Sequence, residues 1–183
     1  MKPRILAELA RIGLLLEHDG SLPSVTAMVA GGPVKGSWWG HPRGNEIYAL
    51  LGGLSEHRDV EFAKLVNGKV TLVHRALWPA LLGAATSGEP WQTAGMKPTS
   101  SALLKRVRAA GALQTTGDPA RDLERRLLVH GTSVHTPSGD HAKALETWQR
   151  WAAGAKVKPW PSEKSRRALE EAVAALGGGR LPW

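Results

Sequence analysis

Two alternating runs joined by Asn67-Gly68 constrain the fold of this chain more than any other part of its sequence. Residues 60–66 and 69–74 alternate with a period of two, which is the spacing of half-buried β-strands. Asn and Gly tolerate positive φ, as both central positions of a type I′ turn require. The sequence therefore predicts a β-hairpin over residues 60–74.

Helical periodicity predicts three helices before this hairpin and one after it. Residues 3–18 carry leucines and isoleucines at helical spacing, Ser24 can cap a short helix through Val29, and residues 45–54 form a further apolar stripe. The helix after the hairpin is predicted over residues 77–85. Helices followed by a hairpin are in the order of a winged helix-turn-helix unit.

The second half of the chain repeats this outline. We predict, in order, a helix over residues 99–110, a helix over 118–128, a short hairpin over 129–136, a helix over 140–151 and a last helix from Ser162. The repeat is one of pattern, since the residues themselves differ.

The predicted fold is therefore α+β and mainly helical, with two winged-helix-like units that each carry a small β-hairpin. Four segments follow from the turn and linker signals. They are the first unit over residues 1–86, a linker over 87–98, a basic second unit over 99–156, and a C-terminal helix and tail over 157–183.

The charge of the chain is positive and unevenly distributed. The formal net charge is +8. Residues 1–96 hold nine Lys/Arg against eight Asp/Glu, whereas residues 97–183 hold fifteen against eight. Such asymmetry predicts a polyanionic partner, and duplex DNA is the expected one. The alternative is a surface whose charge only keeps the protein soluble.

Composition excludes several classes of site. The chain has no cysteine, so disulfides, thiolate nucleophiles and Cys-based zinc sites are ruled out. No apolar run reaches the ~18 residues of a membrane span, and no nucleotide-binding glycine motif is present. We expect a monomeric cytoplasmic protein without a membrane partner, metal or cofactor.

Two groups of basic residues are candidates for DNA contacts. Both lie in the predicted helices of the second unit, where they would neutralise phosphates. The residues are Lys105, Arg106 and Arg108 in one helix and Arg121, Arg125 and Arg126 in the next. The alternative is a pair of solvated amphipathic helices, in which Asp122 and Glu124 balance part of the charge.

Three histidines, His130, His135 and His141, flank the turn at residues 136–140. Their spacing does not match a standard metal-ligand pattern. A turn in which Ser138 and the flanking histidines contact a phosphate is a better hypothesis. A hydrogen-bonded turn that caps a helix at Asp140 explains the same residues without a ligand.

The segment over residues 36–48 concentrates the groups expected in a pocket for a base. Trp38, Trp39 and Tyr48 provide flat aromatic surface, and Arg43 could hold a phosphate. Adjacent tryptophans cannot both face the interior of one regular element, so core packing does not explain them. Glycines at every fourth position make a helix over residues 36–44 improbable, and the segment is predicted to be a shaped loop.

The same segment supplies candidate catalytic residues. Glu46 could act as a general acid or base, and His41 or Asn45 could hydrogen-bond a base. A structural explanation is equally available for two of them. Asn45 could cap the helix that follows, and Glu46 in the first turn would complement the helix dipole.

The chain resembles a family of small, mostly uncharacterised bacterial proteins. Shared motifs are Gly-Ser-Trp-Trp-x-His-Pro at residues 36–42, Lys-Leu-Val-x-Gly-Lys-Val-Thr at 64–71, and a Leu-Glu-x-Arg-Leu-Leu-Val-His tract within 123–143. The winged-helix pattern is also similar to DNA glycosylases that act on alkylated or crosslinked bases. Their Gln-x-Gln-type catalytic motif is not visible here, so the resemblance implies DNA-binding winged-helix units with a base pocket and assigns no catalytic residue.

Two functional hypotheses follow. The first is a monofunctional DNA glycosylase that excises a modified base flipped into a Trp/His/Glu pocket, in repair or in defence against phage. The second is a non-catalytic winged-helix DNA-binding protein, such as a regulator. They differ in whether Glu46 faces a pocket.

Overall fold

The computed structural model describes residues 1–135 and 141–183, and for His135 and His141 only the backbone. Within these residues it confirms a mainly helical α+β fold with two three-stranded antiparallel sheets. The chain divides into two compact units, which we call unit 1 (residues 1–78 and 167–181) and unit 2 (residues 79–166 and 182–183).

These units do not coincide with the segments drawn from the sequence. The C-terminal stretch, which was assigned to a separate helix and tail, contributes buried side chains to unit 1, among them Leu169 and Leu176. An amphipathic helix buries its apolar face wherever a complementary surface exists, and the sequence does not identify that surface.

Unit 1 begins with helix α1 (Lys2–Ile12), which ends at Gly13 with a φ of 89°. Glycine adopts this left-handed conformation without a Cβ clash. Strand β1 (Leu14–Leu16) follows at once, with all three leucines buried. The prediction of one helix through His18 was therefore wrong, because a short apolar run fits a buried strand as well as a helix.

Helices α2 (Val25–Ala30) and α3 (Gly44–Ser55) follow. The Ser24 hydroxyl accepts a hydrogen bond from the Ala27 N–H at 3.2 Å, which is the predicted cap. Between the two helices, Trp38–Gly40 forms one 3₁₀ turn. Residues 36–44 thus contain no α-helix before Gly44, in agreement with their glycine spacing.

The predicted hairpin is present as β2 (Val60–Lys64) and β3 (Val70–His74). Asn67 and Gly68 have φ values of 55° and 66°, as a type I′ turn requires. The strand order is β1-β3-β2, with Leu15 and Phe62 on either side of Leu72. Unit 1 therefore has the helix–strand–helix–helix–hairpin order of a winged helix.

The core of unit 1 lies between its helices and one face of this sheet. Helix α1, helix α2, helix α3 and the sheet all contribute to it. Its fully buried side chains include Ile5, Leu9, Leu15, Val25, Val29, Ile47, Leu54 and Leu72.

Three helices open the second half of the fold: α4 (Trp78–Ala85), α5 (Pro90–Thr93) and α6 (Pro98–Ala110). Helix α5 lies inside the predicted linker, and Gln92 within it is 1% exposed. The Gln92 side-chain amide donates to the Ala85 carbonyl at 2.8 Å. This stretch is therefore a packed part of unit 2, which its glycine and proline content did not indicate.

Strand β4 (Ala112–Thr115) and helix α7 (Asp118–Arg125) come next. The strand was not predicted. The helix was predicted to continue to Leu128, but Leu127 has a φ of 50°, which leaves the helical region.

The largest correction concerns residues 141–151, where one helix was predicted. Residues His141–Glu146 form strand β6, which pairs with β5 (His130–His135) on one side and β4 on the other. Ala142, Leu145 and Trp148 are buried at intervals of three residues, and this spacing of apolar residues is also typical of an amphipathic helix. Hydrogen bonds to two neighbouring strands outweigh that local signal. The proposed cap at Asp140 lies outside the described residues.

Two helices complete the chain, α8 (Trp148–Ala155) and α9 (Ser162–Leu176). Thr147 caps α8, and its hydroxyl accepts from the Arg150 N–H at 3.3 Å. None of the helices in the described parts of the chain is both long and apolar enough to cross a membrane.

Candidate nucleic-acid interface

The Trp-containing loop of unit 1 is held in place by its own backbone and by His18. The His18 Nε2 donates to the Gly36 carbonyl at 2.7 Å, while Nδ1 lies 3.0 Å from the Thr26 hydroxyl. A Cβ at Gly44 would lie 3.1 Å from the Trp39 carbonyl oxygen, so glycine permits this close approach of α3 to the turn without a tight contact.

The aromatic side chains of this loop and of the first turns of α3 form a partly exposed cluster, which we call the aromatic ledge (Trp38, Trp39 and Tyr48). The two indoles are 4.2 Å apart and 20° from parallel, and the Tyr48 ring lies 5.6 Å from Trp39. Trp38 is buried, whereas Trp39 is 63% and Tyr48 51% exposed. A base cannot enter between Trp38 and Trp39, because each ring covers a face of the other, but the rest of Trp39 is open to stacking.

Arg43 and Glu46, the candidate phosphate contact and the candidate acid, are paired with each other. The guanidinium donates to both carboxylate oxygens, at 2.8 and 2.7 Å, and also to the Val29 carbonyl. The hydrogen bond from Arg43 lowers the pKa of Glu46 below its ordinary value. An exposed carboxylate in this state is ionised at neutral pH and is a poor proton donor.

The other two candidate catalytic residues lie on either side of the first residue of α3: His41 precedes the helix and Asn45 is within it. The His41 Nδ1 accepts the Arg43 backbone N–H at 3.1 Å. Asn45 is exposed and lies within the first turn, whereas the cap position is occupied by Arg43 without a side-chain capping bond. The capping explanation of Asn45 is therefore wrong. Both residues are near the aromatic ledge in sequence, but neither enters a shared hydrogen-bond network with Glu46 among the described contacts.

In unit 2, four of the candidate DNA-binding residues are unpaired, and we call this set the basic face, a name for the four cations together, since neighbouring positions on α6 point in different directions around the helix. All four are exposed, and none has an acidic partner in the part of the chain that is described. They are Lys105, Arg106 and Arg108 on α6 and Arg125 on α7. Helix α6 contains no Asp or Glu, so no pair within the helix can form.

The remaining two arginines are engaged elsewhere. Arg121 lies 3.3 Å from Asp118 on the exposed surface of α7. Arg126 is only 20% exposed, pairs with Asp122 at 2.8 Å and donates to the Ala94 carbonyl at 2.8 Å. Arg126 thus connects α7 to the α5 region. This structural role could not be predicted from the sequence, where Arg126 and its neighbour Arg125 are both candidates for DNA contacts.

The histidine group has only one member whose side chain is described. His130 is buried, with its Nδ1 3.1 Å from a Glu146 carboxylate oxygen and its ring against Trp148 and Trp151. It is therefore part of the unit 2 core. The side chains of His135 and His141, and Ser138 entirely, lie outside the described residues. No cluster of three potential metal ligands occurs among the described side chains.

A cavity in unit 2 was not anticipated from the sequence. Its volume is about 160 Å³, and it is formed by α4, α5, α6 and the start of α8. The lining residues are Ala85, Thr86, Gly88, Gln92, Thr93, Arg108, Leu128, Thr147, Trp148 and Gln149. Residues this far apart in the chain carry no shared local pattern, so only their tertiary arrangement could identify the site.

Comparison with known protein families, with curated proteins and with solved structures gives no match for this chain.

Proposed function

We propose that this protein binds nucleic acid without catalysing a reaction on it, and that the basic face of unit 2 supplies the phosphate contacts. The observation that carries the proposal is the unpaired state of Lys105, Arg106, Arg108 and Arg125. An arginine already held by a carboxylate gains little from a phosphate, whereas an unpaired cation gains attraction and releases condensed counterions from the nucleic acid.

The distribution of charge supports unit 2 rather than unit 1 as the phosphate-binding part. Unit 2 contains thirteen Lys/Arg against seven Asp/Glu. In contrast, the exposed positions of α3, the helix that precedes the wing-like hairpin in unit 1, carry no cation. They are Asn45, Glu46, Tyr48, Ala49, Gly52 and Ser55. A groove-reading helix without positive charge would make few phosphate contacts.

The aromatic ledge supports a second kind of contact. Exposed aromatic rings stack on unpaired bases with little sequence preference, at about 1–3 kcal/mol per base. Trp39 is the accessible ring, and Trp38 beneath it supports its position. A preference for single strands or frayed ends over intact duplex would follow from such stacking.

The glycosylase hypothesis stays a prediction, and two features weigh against it. The ion pair with Arg43 engages both carboxylate oxygens of Glu46 and lowers its pKa, which makes it a weaker base as well as a poor proton donor, and the mutual stacking of the indoles leaves no slot for a flipped base. It can be tested with duplexes that carry a panel of modified bases, followed by alkali. Strand breakage at one lesion, lost in Glu46→Gln, would establish the enzyme and refute our proposal.

The binding proposal is tested by fluorescence anisotropy with a short duplex and with its separated strand, from about 50 to 200 mM salt. We expect the logarithm of the affinity to fall linearly with the logarithm of salt concentration. In the double variant Lys105→Ala/Arg106→Ala the slope should be shallower by about 1.8 for duplex.

Arg121→Ala is the control, because Arg121 is also exposed but is already paired with Asp118. It should change the slope much less than the double variant. Salt-insensitive binding by the unaltered protein, or equal slopes for the double variant and the control, would refute the basic face as the interface.

A further inference from the structure

Strand β4 lies at one edge of the unit 2 sheet, with β6 as its neighbour. The Thr147 N–H donates to the Gly111 carbonyl at 3.1 Å, so these two residues extend the β4–β6 register by one hydrogen-bonded pair. Hydrogen-bonded and non-hydrogen-bonded pairs alternate along an antiparallel ladder. Every second residue after Gly111, beginning with Leu113, therefore bonds to β6, whereas the backbone N–H and C=O groups of Ala112 and Gln114 point away from the sheet.

These outward groups of β4 have no partner within the part of the chain that the structure describes. Neither Ala112 nor Gln114 takes part in a hydrogen bond outside the sheet. Gln114 is exposed, and Ala112 is partly exposed. The strand thus presents two N–H donors and two C=O acceptors in the arrangement of a ladder that another strand can complete.

The edge strands of unit 1 have acceptors for the corresponding groups. By the same alternation, Leu16 on β1 and Phe62 on β2 point away from β3. The Leu16 N–H donates to the Pro23 carbonyl at 3.2 Å, and the Phe62 N–H donates to a Glu61 carboxylate oxygen at 2.8 Å. An edge donor that already has an acceptor is not available to another chain. The open edge of β4 is therefore a feature of unit 2 that unit 1 does not share.

The sequence around β4 also lacks the residues that usually protect an edge strand. Residues 111–117 read Gly-Ala-Leu-Gln-Thr-Thr-Gly and contain no charged residue and no proline, both of which deter pairing between chains. This neutral stretch belongs to a unit with thirteen Lys/Arg against seven Asp/Glu. A second copy of the chain can therefore approach the edge without like charges directly opposite each other.

We propose that β4 pairs with the β4 strand of a second copy of this chain, antiparallel and across a two-fold axis at Leu113. In this register Ala112 of each copy lies opposite Gln114 of the other, and each such pair exchanges two hydrogen bonds. All the outward N–H and C=O groups of both strands are then satisfied by the same residues in each copy, as a two-fold interface requires. The two three-stranded sheets become one continuous sheet. The proposal replaces the monomer expected from the sequence, and it does not depend on nucleic-acid binding.

The contact is small, because β4 has only four residues. Interfaces below about 1,200 Å² are typical of weak and transient complexes, and we expect a dissociation constant of about 10 µM to 1 mM. Salt should strengthen the pairing, because it screens the repulsion between two units of net positive charge. Nucleic-acid binding has the opposite salt dependence, so the two proposals fail or succeed independently.

The test is a dilution series of the full-length protein, from about 20 µM to about 1 mM, followed by NMR of the backbone amides. We expect the Ala112 and Gln114 N–H signals to shift saturably as concentration rises, because both donors gain an acceptor. The Leu113 and Thr115 N–H groups already bond to β6 and should shift much less. Sedimentation equilibrium of the same samples should show a dimer. Ala112 and Gln114 signals that do not change with concentration would overturn the proposal.

Two double variants test whether β4 pairs with itself. Ala112→Lys/Gln114→Lys places like charges opposite each other twice across the two-fold axis, and Ala112→Glu/Gln114→Glu does the same with negative charges. Each variant alone should associate about tenfold more weakly than the unaltered protein, whereas an equimolar mixture of the two should recover the association. Ala112→Thr/Gln114→Thr is the neutral control and should associate normally. Undiminished association of both charged variants, or a mixture that does not recover, would refute the β4–β4 contact.

Other occupants of this edge are distinguished by the same signals. If Ala112 and Gln114 respond to a short single-stranded oligonucleotide but not to protein concentration, the edge belongs to the nucleic-acid interface and the second-copy proposal is refuted. If concentration shifts the Trp39 indole signal instead, the copies associate through the aromatic ledge, which also refutes it. The dilution series of the unaltered protein decides the question even if the charged variants do not fold.

Discussion

Units 1 and 2 have the same order of strands in their sheets, but they differ in whether their cations are paired with carboxylates. In both, the first strand lies beside the third, and the second strand is on the outside. In unit 1, Arg43 is held by Glu46 and Lys69 by Asp19. In unit 2, the cations of α6 have no carboxylate partner among the described residues. Net charge alone would not locate an interface here, because the pairing of each cation decides what it can bind.

The two units also differ in the use of tryptophan. Unit 1 exposes Trp39 above a buried Trp38, whereas unit 2 buries Trp148 and Trp151 around His130. Adjacent tryptophans in a turn place one ring outside, while tryptophans three apart in α8 share one buried face. The spacing of aromatic residues therefore separates a surface ledge from a core.

The largest expected effect is on unit 1, at Asp19. Burial alone would raise the pKa of this 5%-exposed carboxyl, but hydrogen bonds from Lys69, Leu22 and Ser21 hold the pKa well below its ordinary value. Asp19→Ala should lower the free energy of unfolding by about 3 kcal/mol, measured with urea. Asp118→Ala, which removes the exposed partner of Arg121, should change it by less than about 0.5 kcal/mol.

The pH dependence of this contribution has a definite sign. A carboxyl with a lowered folded pKa stabilises the protein fully above its unfolded pKa, near ~3.9, and loses this contribution as pH falls toward the folded value. The stability difference between the unaltered protein and Asp19→Ala should therefore narrow in acid. A difference that stayed constant below pH ~3.9 would contradict the ionised pair.

The second prediction separates adjacent arginines in unit 2. Arg126→Ala should lower the free energy of unfolding by about 2 kcal/mol, because the Asp122 pair and the bond to the Ala94 carbonyl are lost. Arg125→Ala should leave stability within about 0.5 kcal/mol but reduce the salt slope of nucleic-acid binding by about 0.9. Urea unfolding and fluorescence anisotropy of both variants test this prediction. A reduced salt slope in Arg126→Ala, with a loss of stability in Arg125→Ala, would show instead that Arg126 belongs to the interface.

The third prediction concerns the aromatic ledge. Trp39→Ala should weaken single-strand binding by about 1–2 kcal/mol and barely affect the salt slope, because stacking releases no counterions. Trp38→Ala is the contrasting variant, since removal of a buried ring should destabilise unit 1 as well. If Trp39→Ala binds single strands as tightly as the unaltered protein, the ledge is not a stacking surface.

The smallest effect is expected at Glu46. Its carboxyl should titrate below the ordinary pKa of about 4.3, and Arg43→Ala should return the titration toward that value. NMR of the side-chain carboxyl measures both midpoints. A midpoint above the ordinary value would instead restore Glu46 as a candidate general acid and would weaken the contrast between paired and unpaired cations.

Sequence reasoning succeeded where the local signal and the tertiary structure agree. The Asn67-Gly68 turn, the Ser24 cap and the end of α6 at Ala110 each depend on φ preferences or on hydrogen bonds within a few residues. It failed at Leu14–Leu16 and His141–Glu146, where strands form because partners elsewhere in the chain complete their ladders. Periodicity describes which side chains are buried, and both helix and strand can satisfy a short pattern.

The same contrast between local signals and tertiary contacts applies to the candidate site. The sequence by itself determined that α6 carries cations and no acid, and that two adjacent tryptophans could not both be core residues. Only the tertiary structure decided that Arg126 is structural, that Trp38 covers one face of Trp39, and that Arg108 and Trp148 line one cavity. The physical reason is that ion pairing, ring stacking and enclosure depend on distances between residues far apart in the chain, while turns, caps and charge counts depend on residues that are near neighbours.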